Sequence, residues 1–270
     1  MEVEVLKTLL YYARIHAMIT SQYVKARMQY RADFVIGLLG GVIFNIPGML
    51  VFGVLFTTIP QLAGWNFNEI LFMFSFYLVA TSLLAPFFWG VWGLAGSVQS
   101  GDFITYYFRP LNIMFYYMSS VFDYKAFGVL AGAISGFVYA SIQMNLVWTF
   151  GRLVLLATTL FTASLVLTAL LIITSCAAFW IVNSSPLMAL IMRVREVGQY
   201  PLTIFSRSFQ IVFTYLIPLG FASYYPAQLF LRPDEAPLLA YLSPVVGIGL
   251  FALAYWVWTQ GINHYSGTGT

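Results

Sequence analysis

Residues 70–98 read ILFMFSFYLVATSLLAPFFWGVWGLAGSV, twenty-nine positions without one charged side chain. A hydrocarbon core about 30 Å thick takes roughly 20 apolar residues as helix, because backbone polar groups in lipid must pair within their own segment. This stretch is therefore predicted to span a membrane. Working outward, residues 34–59, 126–150, 153–182, 202–221 and 238–260 qualify by the same rule. The third and fourth are separated only by Gly151-Arg152, which is expected to form a tight turn. None shows the two-residue alternation of a barrel strand. The fold class expected is all-α, a polytopic membrane protein of six transmembrane helices.

Composition agrees. Hydrophobic residues make up 61% of the chain and charged ones 8%, where a soluble protein carries roughly a quarter. A cytosolic enzyme, a disulfide-built secreted domain and a disordered chain are all excluded. Cys176 is alone and cannot form an internal disulfide, and His16 and His264 stand near opposite ends, so no metal cluster is expected. No lysine follows a glycine, which removes a phosphate-cradling P-loop. Ser135-Gly136 lacks the earlier glycine of a Gly-x-Ser-Gly pattern, with Ala133 in its place. Asp123 and Lys125, read as the cytoplasmic entrance of the third span, are the charges closest to a membrane interior. Ion-coupled carriers mark their paths with intramembrane charges, so uphill transport here would draw its energy from a partner docked on cytoplasmic loops.

Lysine and arginine set the orientation, since they resist translocation. Lys7, Arg14, Lys25, Arg27 and Arg31 precede the first span, Arg109 and Lys125 follow the second, and Arg193, Arg195 and Arg207 follow the fourth. Only Arg152 and Arg232 fall in the opposite loops. Both termini are thus expected in the cytoplasm, with no cleavable signal peptide. Residues 1–33 read as an amphipathic interfacial helix, with Leu6, Leu9, Leu10, Ala13, Ala17 and Val24 on one face. Residues 34–260 form a single transmembrane domain and 261–270 a cytoplasmic tail. Gly128, Gly132, Gly136 and Ala140 recur every four residues, as do Gly37 and Gly41. Such faces allow close helix approach, and packing within the bundle is favoured over a subunit interface.

Two loops carry more than connection. In residues 99–125, Asp102 is a candidate N-cap, Phe103 to Phe108 form a greasy segment too short to span, and Arg109-Pro110 closes it. A docking surface and an interfacial aromatic belt both fit that composition. Residues 222–236, with Tyr224, Tyr225 and Pro226, are apolar but broken by prolines, which suits a re-entrant outer hairpin between helices 5 and 6.

The order and spacing of several short motifs resemble a known family. They are Tyr30-Arg31-Ala32-Asp33-Phe34, Gly64-Trp65, Gly101-Asp102, Arg109-Pro110-Leu111-Asn112, Tyr200-Pro201-Leu202, Ile217-Pro218 and Tyr224-Tyr225-Pro226-Ala227. Together they resemble the permease subunits of type-2 ATP-binding-cassette (ABC) exporters, in the branch with two related single-domain permeases beside one ATPase. The resemblance implies a bacterial inner-membrane subunit that pairs with a like permease, identical or related, through helices one and five. It implies an ABC ATPase dimer and membrane lipid as further partners, and no nucleic acid. ATP and Mg would sit on the ATPase, with no cofactor on this chain. The ATPase would meet Asp102, Phe103, Tyr106, Arg109 and Pro110, and Tyr224, Tyr225 and Pro226 would form the outer gate. An ATPase-independent pore or scaffold is the alternative, and an intramembrane enzyme a distant third.

Overall fold

The computed structural model describes residues 2–265. Among them, helices follow one another with no strand beyond the single bridge Leu62–Trp65. Helix α1 (Glu2–Met28) leads into α2 (Arg31–Phe44) and α3 (Ile46–Thr58). Helix α4 (Phe67–Phe88) runs on through a 3-10 turn, Trp89–Gly93, into α5 (Leu94–Gln99). After α6 (Ile113–Ser119) come α7 (Ala126–Gln143), α8 (Phe150–Cys176) and α9 (Ser185–Arg195). The short α10 (Arg207–Ile211), α11 (Tyr224–Leu231) and α12 (Leu238–Tyr241) precede the long α13 (Ser243–His264). Five stretches are long and apolar enough to cross a bilayer: Arg31–Thr58, Phe67–Gln99, Ala126–Gln143, Phe150–Phe179 and Ser243–His264. The chain is an all-α, multi-pass membrane protein. The side chains of Leu6 and Leu9 and residues 266–270 of the expected tail lie outside the described residues, and α13 carries the chain to His264.

Local chemistry explains where the helices bend. Pro47 in the first turn of α3 cannot donate a backbone bond, and the first span breaks there at Asn45. Asn45 is buried and donates through Nδ2 to the Val129 carbonyl of α7 at 2.9 Å. Helix α4 gives way to the 3-10 turn two residues past Pro86, and the Pro86 carbonyl accepts the Asp123 amide at 3.3 Å. The glycine faces pack inside the bundle, as expected. A Cβ on Gly128 would run into the Leu38 carbonyl oxygen, so α2 and α7 meet backbone to backbone.

Three expectations need correction. The third and fourth spans turn at residues 144–149, not at Gly151-Arg152. Asn145 takes a left-handed φ of 51°, which asparagine tolerates, and the Thr149 side chain caps α8. Gly151 and Arg152 are helical. The stretch 202–221 is no continuous helix either. Pro201, Ser206 and Pro218 divide it into a 3-10 turn (Leu202–Ile204), α10, a π-helical turn (Val212–Leu216) and a second 3-10 turn (Leu219–Ala222).

The third correction concerns depth. Helix α4–α5 has a Trp65 end and, opposite it, an end that carries α1 and residues 99–125, here called the basic end. The Gln99 side-chain amide donates to the Val182 carbonyl. Ser184, Met188 and Ala189 line a cavity with Trp92 and Ala95. The Tyr77 hydroxyl donates to the Arg195 carbonyl at 2.9 Å. The Tyr200 and Phe52 rings lie 5.7 Å apart, and the Trp65 indole N–H donates to Thr203 Oγ1 at 2.9 Å. Read in that order, residues 182–203 climb beside the second span from the basic end to the Trp65 end. Arg193 and Arg195 therefore stand partway up the bundle, and Arg207 follows Thr203 at the Trp65 end. Seven of the twelve lysines and arginines remain at the basic end, with Arg152, Arg207 and Arg232 at the other.

Candidate functional site

At the basic end, residues 99–125 build a knob. Gly101 takes a φ of 78°, open to glycine without strain, and starts the 3-10 turn Asp102–Tyr106. Asp102 is thus the first residue of that turn rather than its N-cap, and its carboxylate accepts from Ser100 Oγ at 2.7 Å. Phe103, expected on the outer greasy face, is fully buried. Its ring sits 5.3 Å from those of Phe179 and Tyr265, 5.5 Å from Tyr117 and 6.1 Å from Trp258. Tyr106 is half-buried on the same cluster, 4.9 Å from the Tyr117 ring. Tyr107 donates to the Ile262 carbonyl at 2.7 Å, tying the knob to α13. Burial, and then Tyr265 beside it, push the Tyr107 hydroxyl up to about 12. What the knob presents outward is Phe108, 79% exposed, with exposed Arg109 and Pro110. The Arg109 guanidinium does not bond helix-end carbonyls. It lies 5.9 Å from the centre of the Tyr116 ring.

Asp123 and Lys125 do come together, and with residues the sequence did not link to them. They line a cavity of about 440 Å³ that also takes in Arg27, Asp33, Tyr30 and Trp89. The Lys125 amide donates to Asp123 Oδ1 at 3.2 Å. Burial raises the Asp123 carboxyl above its ordinary value, partly offset by that amide and by the Lys125 charge.

At the Trp65 end, Arg232 closes a clasp. Its Nε and Nη2 reach Glu69 Oε1 at 3.1 and 3.0 Å, and Nη2 donates to the Gly64 carbonyl at 2.7 Å. The guanidinium also lies 3.8 Å over the Trp65 ring. Glu69 in turn closes a capping box with Asn66 at the start of α4. Below the clasp, Ser223 donates to the Gly198 carbonyl, Thr214 and Tyr225 share a 2.8 Å hydroxyl bond, and Pro226 is buried. Tyr224 is half-buried, its ring 6.1 Å from that of Trp65.

Sequence reasoning missed Arg195. It is 5% exposed, its Nε finds no hydrogen-bond partner, and Nη1 reaches only Met192 Sδ at 3.5 Å. Arg193 and Glu196 beside it are exposed and paired at 3.7 Å. Three charges within four residues were a signal of a loop in the sequence; only the contacts with Tyr77 show their depth.

The model of the ABC-2 family transporter protein matches residues 42–269. The chain belongs to this family. No curated protein and no solved structure matches it. As an ABC-2 permease it is a transmembrane component of an ABC transporter that lacks an ATPase of its own, in a family that generally works with an ABC ATPase. Among the described residues no group of histidines, cysteines and carboxylates is arranged to hold a metal ion.

Proposed function

We propose that this ABC-2 permease is the membrane subunit of an ATP-driven exporter. It forms the translocation path with a second permease and is driven by ATP and Mg on a separate ATPase dimer. The observation that carries the reading is the knob at the basic end. An exposed Phe108 and Arg109 stand on a base locked into the core by Phe103, so a push on the tip is carried to the ends of α8 and α13 rather than lost in a loose loop. The lysine and arginine excess at that end supports a cytoplasmic side for it and for both termini, in the bacterial inner membrane that this reading assigns to the permease. The first span supports pairing with a second permease, because only 12% of its most apolar stretch is buried, against 72% for the second span. Helix α9 leaves Leu187 and Leu190 uncovered as well. The turn at Ser223, packed on Gly198 beside the Tyr77 ring, supports a re-entrant outer gate of Tyr224, Tyr225 and Pro226. Co-purification from native membranes is the test. An ABC ATPase recovered in stoichiometric amount, with ATP-dependent export in vesicles, is the expected result. A chain that purifies alone and passes solute without ATP overturns the reading in favour of a pore.

A further inference from the structure

The cavity at the turn between α1 and α2 gathers four charges from three places in the chain. Arg27 comes from the end of α1, Asp33 from the start of α2, and Asp123 and Lys125 from the lead into α7. They are two cations and two carboxylates, so a fully anionic or fully cationic ligand meets as much repulsion as attraction. None of the four is in an ion pair within 4 Å. The two ion pairs found among the described residues lie elsewhere, at Arg193–Glu196 and Arg232–Glu69. Among the described residues, the exposed Arg27 side chain bonds only the Tyr23 hydroxyl, at 3.3 Å, and the Asp123 carboxylate only the Lys125 backbone amide. Opposite charges held around one space without closing on each other are arranged for a molecule that brings both signs.

We propose that this cavity receives the zwitterionic head group of a membrane phospholipid, with its phosphate against Arg27 and Lys125 and its ammonium against Asp33 and Asp123. The volume of about 440 Å³ falls within the roughly 300–1,000 Å³ of small-ligand sites. Tyr30 and Trp89, 71% and 41% exposed, stand at the rim, where aromatic rings favour the head-group level of a bilayer and attract an ammonium. The partly desolvated Asp123 carboxylate gains most from a cation brought to it. The site sits where the first membrane-spanning stretch begins, so a bilayer lipid reaches it without leaving its leaflet.

This inference rests on the reading of the chain as a membrane permease, and its test is kept separate from transport. The full chain is purified from vesicles of equal phosphatidylethanolamine and phosphatidylglycerol, and retained lipid is measured by native mass spectrometry. Retention of phosphatidylethanolamine over phosphatidylglycerol by about tenfold, a 1.4 kcal/mol preference, is expected. Asp33→Asn, at an exposed position that leaves the fold intact, and Asp123→Asn are each expected to erase most of it, because the carboxylates that hold the ammonium are what tell the two lipids apart. Equal retention of the two lipids, or a preference untouched by both variants, overturns the proposal. Soluble phosphoethanolamine that binds as tightly as the lipid overturns it too, in favour of a site for a free zwitterion. Because no ATPase is present, a failure here leaves the exporter reading standing, and a permease that recruits no ATPase leaves lipid retention unaffected.

Discussion

Arg232 joins two loops at the Trp65 end through one side chain. Its guanidinium serves Glu69, the Gly64 carbonyl and the Trp65 ring, and Glu69 is only 12% exposed. Removing the cation leaves a largely buried carboxylate without a counter-charge and with a capping box as its only remaining partner. Arg232→Ala is expected to cost about 1.5–3 kcal/mol, the range for hydrogen bonds to charged groups. Arg232→Lys keeps the charge but loses the fork and the ring contact, so its cost should fall between. Thermal unfolding in detergent at one fixed scan rate ranks the three proteins. Equal midpoints for all three would show the clasp to be a surface contact of no consequence. Of this clasp the sequence showed Arg232 in an outer loop and the Gly64-Trp65 motif, but not that they meet or that Glu69 joins them. Glu69 lies 163 positions away, and no periodicity links residues that meet through tertiary packing.

Helix α1 is held to the body by few contacts, and one of them titrates. His16 shares a 3.0 Å hydrogen bond with Ser119 and packs against the Phe87 and Phe115 rings. Burial lowers its pKa below the ordinary value. A group with a depressed pKa takes up its proton more readily in the released helix than in the docked one. Docking is therefore at full strength above the free value of about 6.5 and weakens as pH falls through that value and the lower docked one. Hydrogen exchange over residues 2–28 should be slower at pH 7.5 than at 5.5, once intrinsic rates are corrected, with His16→Gln showing no such step. Matching steps in both proteins would remove His16 from the account. Four of the five long helices were legible as uncharged apolar runs, and the first, Arg31–Thr58, was legible despite its kink at Asn45. Residues 185–204 were not. Arg193, Arg195 and Glu196 interrupt them, and the apolar count slid on to 202–221, a stretch that prolines then divide.

For the whole molecule, the course of residues 185–204 sets two arginines partway up the bundle, Arg195 buried and Arg193 exposed, where a loop was expected. Tyr77 lies about 15 Å along α4 from its first residue, half of a roughly 30 Å hydrocarbon core. A cysteine at Ile204 should accordingly be labelled from the same side as one at Pro233 and from the opposite side to one at Arg109; labelling with Arg109 would restore the loop. A buried guanidinium with no ion-pair partner does not stabilise the fold, so Arg195→Met should leave thermal stability equal or higher while export falls. A less stable but fully active variant would contradict that. The knob at the basic end divides in a similar way between buried and exposed side chains. Phe103 fills the core between α8, α13 and the knob, so Phe103→Ala should cost about 3–5 kcal/mol and lower the amount of folded permease. Phe108 and Arg109 touch little of their own chain, so Phe108→Ser and Arg109→Ala should leave folding unchanged and weaken ATPase capture or ATP hydrolysis coupled to export. The greasy segment thus has a buried part and an exposed part that composition could not separate. Its inner rings are packing, and its exposed tip is where the proposed ATPase contact would form. Measuring folded yield and ATPase co-purification for the three variants side by side checks the division. Loss of ATPase from Phe103→Ala alone, with full folded yield, would place the contact on the buried ring and reverse it.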